Sequence, residues 1–275
     1  MKSIHKIQNI IHIGANKTAT TSFQDYLFSK IRKIGYIGNK QDQIKIIEKE
    51  LKNLRSQDDF YYNPVNLKKI IKELKNKNID TLLYSDEDIL TSNNLTRCAK
   101  RLKNLLPRAK IVITIRNQIS ALESWYLSHG STLKMVPKKY FRKYVSFDDW
   151  IEYCFQFRDD FVTPLQSSPL KAMDYNMIIN IFAKSFGSKN IKILLYENLI
   201  HKKDEIFYDW SEILMVSEKT IRLKLLKKKF LRKSQNKRKI ISGKNIKNII
   251  KYFSLSNYLI NKKYTLNLEQ YNYPL

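Results

Sequence analysis

The run Ile10-Ile11-His12-Ile13-Gly14, followed by Ala15-Asn16-Lys17-Thr18-Ala19-Thr20-Thr21-Ser22-Phe23, constrains the fold more than any other feature of the chain. A short isoleucine-rich run reads as a buried strand, and the hydroxyl-rich stretch after it opens a helix. Gly14 and Asn16 sit in the tight turn between them. The first turn of a helix carries unpaired backbone N–H groups and a partial positive charge, so a phosphate or sulfate settles there readily. Lys17 adds a full charge at the mouth, and Thr18, Thr20, Thr21 and Ser22 add hydroxyl donors. The spacing is not that of a Walker A loop, because no second glycine precedes the lysine. A capped helix after an ordinary strand also accounts for these residues, and this segment alone leaves both readings open.

A second segment repeats the pattern. Ile111-Val112-Ile113-Thr114-Ile115 has the near-continuous β-branched character of a central parallel strand, and Arg116 follows at its carboxyl end. That is the side on which open α/β sheets bind ligands. Ser124 comes eight residues later, a little over two turns into the next helix. Arginine offers a planar fork of donors to a phosphate, and serine a neutral one. An arginine at a helix start and an unremarkable helical serine is the plainer alternative.

The two motifs together, in this order and each after a strand, resemble the 5′-phosphosulfate loop and the 3′-phosphate site of sulfotransferases. Those enzymes use 3′-phosphoadenosine 5′-phosphosulfate (PAPS). The resemblance continues through Ile191–Leu199, similar to the strand and YE-x-L segment that closes the family's sheet, and through Phe186-Gly187, as in bacterial carbohydrate-type members. The terminal Tyr271-Asn272-Tyr273-Pro274-Leu275 is similar to the aromatic ending of many such members. The resemblance implies a three-layer α/β/α sulfotransferase fold with a central parallel sheet, akin to P-loop nucleotide kinases. It implies PAPS as sulfuryl donor, no metal, and a carbohydrate or glycolipid acceptor. It places Gly14, Asn16, Lys17, Thr18, Thr20, Thr21 and Ser22 at the phosphosulfate and Arg116 and Ser124 at the 3′-phosphate. Arg232, Lys233 and Ser234 fall where the family sets a late basic loop over that phosphate, although the glycine typical of cytosolic members is absent.

Sulfuryl transfer to an alcohol needs a group that accepts the hydroxyl proton. Asp86 and Glu87 stand at the carboxyl end of the Thr81–Tyr84 strand, where many cytosolic members carry a histidine. Glu87 is the expected base, with Asp86 and His129 as rivals. A helix cap accounts equally well for either acidic residue. His12, inside the first strand, reads as a packed core histidine.

The coarse organisation alternates strands and helices, which implies a doubly wound parallel sheet in one domain over 1–275. The pattern predicts strands at 9–14, 81–84 and 111–115 and a turn or short strand at 35–38. It predicts helices at about 18–33, 42–55, 65–76 and 147–157, and one from the acidic turn to about Leu106. Residues 130–146 read as a basic loop. The sequence contains two distant cysteines, Cys98 and Cys154, which indicate neither a metal site nor a disulfide framework. The N-terminus runs straight into the first strand, and no apolar run reaches membrane-spanning length, so a cytoplasmic protein is expected. The formal net charge is +26, concentrated toward a C-terminal segment of about 219–275. Residues 219–251 hold fourteen Lys or Arg and no Asp or Glu. Such a run suits an anionic partner, including the inner face of a membrane, or is a solvated helix face. A nucleotide kinase with a modified phosphate loop and a basic nucleic-acid-binding protein are the alternative functions. The first lacks Walker spacing, and the second lacks a visible recognition module, so no specific nucleic acid is expected.

Overall fold

Side chains alternate along the strands between two apolar sets, so each face of the sheet must be covered by helices. The computed structural model describes residues 7–38, 44–92, 94–127, 144–158, 169–226 and 241–275. His129, Arg232, Lys233 and Ser234, and nearly all of the expected 130–146 loop, lie outside them. Strands β1 (Gln8–Gly14), β2 (Ile34–Gly38), β3 (Thr81–Ser85), β4 (Lys110–Ile115) and β5 (Ile191–Leu195) form one parallel sheet in the order β2-β3-β1-β4-β5. The helices are α1 (Thr20–Tyr26), α2 (Ile44–Ser56), α3 (Val65–Lys75), α4 (Leu95–Leu105), α5 (Gln118–Trp125) and α6 (Phe147–Gln156). They continue with α7 (Tyr175–Phe186), α8 (Tyr196–His201), α9 (Lys203–Leu214), α10 (Glu218–Leu226) and α11 (Gly243–Tyr264).

Ile11, Ile13, Leu82, Tyr84, Ile111 and Ile113 face one core, closed by α2 to α7 and α11. Ile10, Leu83, Val112 and Leu194 face the other, closed by α1, α8, α9 and α10. The result is the expected three-layer α/β/α arrangement. The connections leaving β1 and β4 run toward opposite edges of the sheet, which opens a crevice at their carboxyl ends. Among the described residues no helix is long and apolar enough to cross a membrane.

Two local expectations need correction. The helix expected over 18–33 is shorter: α1 starts at Thr20, Leu27 turns out of helical geometry at φ −115° and ψ −68°, and a 3-10 turn follows at Phe28–Lys30. Phe28 is thereby driven into the core beside His12 and Trp210. The 35–38 segment is the short strand of the two expected readings, β2. The helix expected after the acidic turn is two elements, because Asp86 caps a 3-10 turn at Glu87–Thr91 and Asn94 caps α4 separately.

His12 is the packed core histidine that its strand position suggests. It is wholly buried, its ring nitrogens pair with the hydroxyls of Ser85 at 2.9 Å and Thr114 at 3.2 Å, and Phe23, Phe28 and Trp210 surround it edge-on. Burial lowers its pKa to about 3. The folded value lies below the unfolded one, so the stabilisation is present above about pH 6.5 and is lost as pH falls toward about 3. Lowering pH from about 7 to about 5 is expected to cost roughly 2 kcal/mol from this group alone. Urea midpoints should show His12→Gln less stable at neutral pH but with a flatter pH slope. An unchanged slope would assign the acid sensitivity elsewhere.

Candidate functional site

The β1–α1 loop is held in shape by its own residues. Ala15 N–H donates to the Thr114 carbonyl at 2.8 Å, tying the loop to β4. Lys17 and Ala19 adopt positive φ, 71° and 62°, a conformation that costs non-glycine residues energy and recurs at ligand sites. Thr18 is fully buried, and its hydroxyl donates to the Ala15 carbonyl at 2.6 Å and meets the Thr20 hydroxyl at 3.2 Å. These two threonines brace the loop from within. A Cβ at Gly14 would collide with the Thr20 hydroxyl, so this close approach requires glycine. Asn16, Lys17 and Ser22 are half-buried at the rim, and Thr21 is exposed. The residue before α1, Ala19, makes no side-chain cap bond.

Arg116 joins this loop to β4. Its guanidinium donates to the Lys17 carbonyl at 2.8 Å and to the Ser120 hydroxyl at 3.0 Å, and stacks over the Tyr196 ring at 4.6 Å. Among the described residues those bonds use two of five N–H donors, leaving an edge of the fork for an anion. Ser120 and Ser124 follow Arg116 at steps of four, so the three share one side of the strand-to-helix corner. Ser124 is half-buried there. Ser120 and Tyr196 are site residues that the motif spacing did not single out. The four-residue step marks Ser120, whereas only the fold brings Tyr196 across from β5.

The acidic turn divides into two roles. Asp86 is wholly buried: it accepts from Arg55 at 2.5 Å, the Tyr84 hydroxyl at 3.1 Å and the Asp88 N–H at 3.1 Å. Burial raises its pKa, against the opposing pull of Arg55. Asp86 therefore fits the cap alternative and anchors the turn. Glu87 stands half-exposed beside it. Lys17 has a pKa lowered by desolvation and by Arg116, with the Glu87 carboxylate acting in the opposite sense. Lys17, Glu87 and Arg116, from three different strand ends, thus share one electrostatic environment.

A buried clamp fixes the start of α5 behind Arg116. Glu197 accepts from the Asn117 N–H at 2.9 Å and from the Tyr273 hydroxyl at 2.9 Å. The Asn117 amide donates in turn to the carbonyls of Tyr271 at 3.1 Å and Asn272 at 2.6 Å. Asn257 donates to the Pro274 carbonyl at 2.7 Å and pairs with Gln118. The aromatic ending is therefore the support of the Arg116 corner. Burial raises the Glu197 pKa, opposed by those hydrogen bonds and by Arg116.

Known proteins show what this arrangement belongs to. A sulfotransferase domain family model matches residues 9–182, which include the β1–α1 loop, the acidic turn, Arg116 and Ser124. The fold is similar to a sulfotransferase from Alicyclobacillus acidocaldarius, with TM-score 0.65 and 16% identity over 97% of this chain and 99% of that one. A sulfotransferase domain from the Synechococcus PCC 7002 olefin synthase gives TM-score 0.49 and 12% identity over 98% of each chain. A mouse sulfotransferase complexed with PAP gives TM-score 0.45 and 12% identity over 95% of this chain and 85% of that one. No curated protein sequence matches. The matched span begins at β1 and ends inside α7, so it carries both strand-end motifs in the order the sequence presents them, and the chain belongs to the sulfotransferase domain family.

Proposed function

We propose that the protein transfers the sulfuryl group of PAPS to a hydroxyl of a carbohydrate or glycolipid. The observation that carries the reading is the Arg116–Lys17 bridge, which sets a guanidinium fork and a half-buried ammonium at one crevice with Glu87 beside them. Lys17 and the loop amides would hold the 5′-phosphosulfate, and Arg116, with Ser124 on the same side, the 3′-phosphate. As the acceptor oxygen bonds to sulfur, the bond from sulfur to the phosphate oxygen breaks. Glu87 takes the hydroxyl proton, and Lys17 neutralises charge on the departing phosphate oxygen. Thr18 and Thr20 contribute by bracing the loop.

A thermal-shift comparison tests the donor. Adenosine 3′,5′-bisphosphate should raise the midpoint clearly, since a ligand at a hundredfold its Kd adds about 2.7 kcal/mol to stability. ATP, lacking a 3′-phosphate, should raise it far less. Equal shifts would remove the role given to Arg116 and Ser124. Transfer of labelled sulfate from PAPS to a glycan panel tests the acceptor class.

Peripheral contact with an anionic membrane fits the outer side of α11. Lys244, Lys247, Lys251 and Lys262 are exposed there beside Leu255, Tyr258 and Leu259, with no acidic residue in the helix. Basic side chains flanking apolar ones suit a negatively charged bilayer surface.

A further inference from the structure

A groove of about 680 Å³ opens between the 57–64 turn, the start of α3 and the flank of α4, apart from the residues assigned to sulfuryl transfer. Lys68, Arg97, Lys100 and Arg101 line it against one carboxylate, Asp59, which Arg101 already holds at 2.6 Å. Three buried polar atoms on these walls have no hydrogen-bond partner among the described residues: the Tyr62 hydroxyl, Arg97 Nε and Arg101 Nε. Arg101 is only 5% exposed, so its orphaned donor has lost water without gaining a partner. Burial pushes the Tyr62 hydroxyl up to about 12, which keeps it a neutral donor in the ordinary pH range. Buried donors left unmade cost stability and mark a strained wall, and the groove over it presents the charged side chains of Lys68, Arg97 and Lys100 to a ligand.

The lining also selects the kind of ligand. The surplus of cations suits an oxyanion, and arginine forks suit a carboxylate or sulfate ester. Asn94, Thr96 and Asn104 add neutral groups that both donate and accept, as sugar hydroxyls require. The volume falls in the range of ordinary small-molecule sites. The groove is also tied to the acidic turn. The Cys98 thiol of α4 lies within donating distance of the Ser92 hydroxyl and the Leu54 carbonyl, and the neighbouring Arg55 holds Asp86.

We propose that this groove binds an acidic saccharide unit, through its carboxylate or sulfate ester, as a subsite separate from the transfer centre. The inference deepens the glycan reading above and rests on it for its role, but its test needs neither donor nor turnover.

The test is titration of the full chain, followed by NMR, with a glucuronate-containing disaccharide, its neutral glucose counterpart and inorganic sulfate. The acidic disaccharide should bind better than either control. Arg97→Gln combined with Lys100→Gln should weaken it by at least ~10-fold, a change within reach of a lost charge-assisted contact. Lys30→Gln combined with Lys203→Gln, exposed on the other side of the sheet, should leave it unchanged, and the shift with adenosine 3′,5′-bisphosphate should persist in both variants. Equal binding of the neutral sugar would overturn the proposal, as would equal weakening by the Lys30 and Lys203 pair or no binding at all. Sulfate binding as tightly as the disaccharide would reduce the groove to a simple anion site and overturn the saccharide assignment. Sulfation of glycans by a chain whose groove binds none of the probes would leave the proposed reaction standing and sink this inference alone.

Discussion

Lys17→Ala is expected to lower kcat by ~10²- to 10³-fold while nucleotide affinity falls much less, the scale seen when one charge-stabilising donor is removed. Lys17 is half-buried, and burial already works against its charge. A desolvated ammonium acts strongly on charge that develops nearby, and that charge is greatest as the sulfur–oxygen bond breaks. The loop should survive the change, because its shape depends on Thr18, Ala15 and the tie to Thr114, not on the lysine side chain. Single-turnover rates and bisphosphate titration on the same preparation separate the two effects. An equal loss in rate and in affinity would make Lys17 a uniform binding residue. Near-normal turnover would remove it from the chemistry.

Glu87→Gln should lower kcat by ~10²- to 10⁴-fold, the contribution of a positioned general base, with bisphosphate affinity retained. Glutamine keeps the size of the side chain and most of its hydrogen bonding but cannot take the proton. The pH–rate profile gives the sharper evidence: the limb that reports deprotonation of the base should vanish in the variant. Asp86→Asn is the necessary comparison. Its carboxylate is enclosed by Arg55, Tyr84 and the Asp88 N–H, so its loss should appear as instability. If Asp86→Asn kept its stability and lost more turnover than Glu87→Gln, the two roles would be reversed. His129→Ala completes the set, and a larger loss there would pass the base to the histidine.

The strand-end motifs were legible because their chemistry is local. Gly14 to Ser22 and Arg116 to Ser124 each lie within one strand, one turn and one helix start, and short-range spacing reports such units well. The two-sided burial of the sheet was equally readable from its β-branched runs. What escaped was either tertiary or too short to leave a period. The clamp on Asn117 joins the start of α5, Glu197 of α8 and the chain's last segment, and nothing in their local sequence names the partner. Arg55 belongs to an amphipathic helix whose pattern says that it is polar, not that it holds Asp86. The early end of α1 reflects the pull of Phe28 toward His12 and Trp210, a packing demand that overrides helix propensity. Asp86 and Glu87 are adjacent in sequence, and only the fold shows that the first is enclosed while the second stays half-exposed.

The clamp at Asn117 also orders events in time. Its amide is held by carbonyls 154 and 155 positions further along the chain, and its N–H by a carboxylate 80 positions away. At ribosomal speeds of 5–20 residues per second, roughly 8–30 s separate synthesis of Arg116 from that of its final support. Contacts of such long separation form late because closing the loop must precede any gain from it. The sheet can therefore assemble around β1 and β4 well before the Arg116 corner becomes rigid. Nucleotide affinity would then emerge after most of the secondary structure, so a refolding chain would regain its far-ultraviolet signal first and its grip on a 3′-phosphate last.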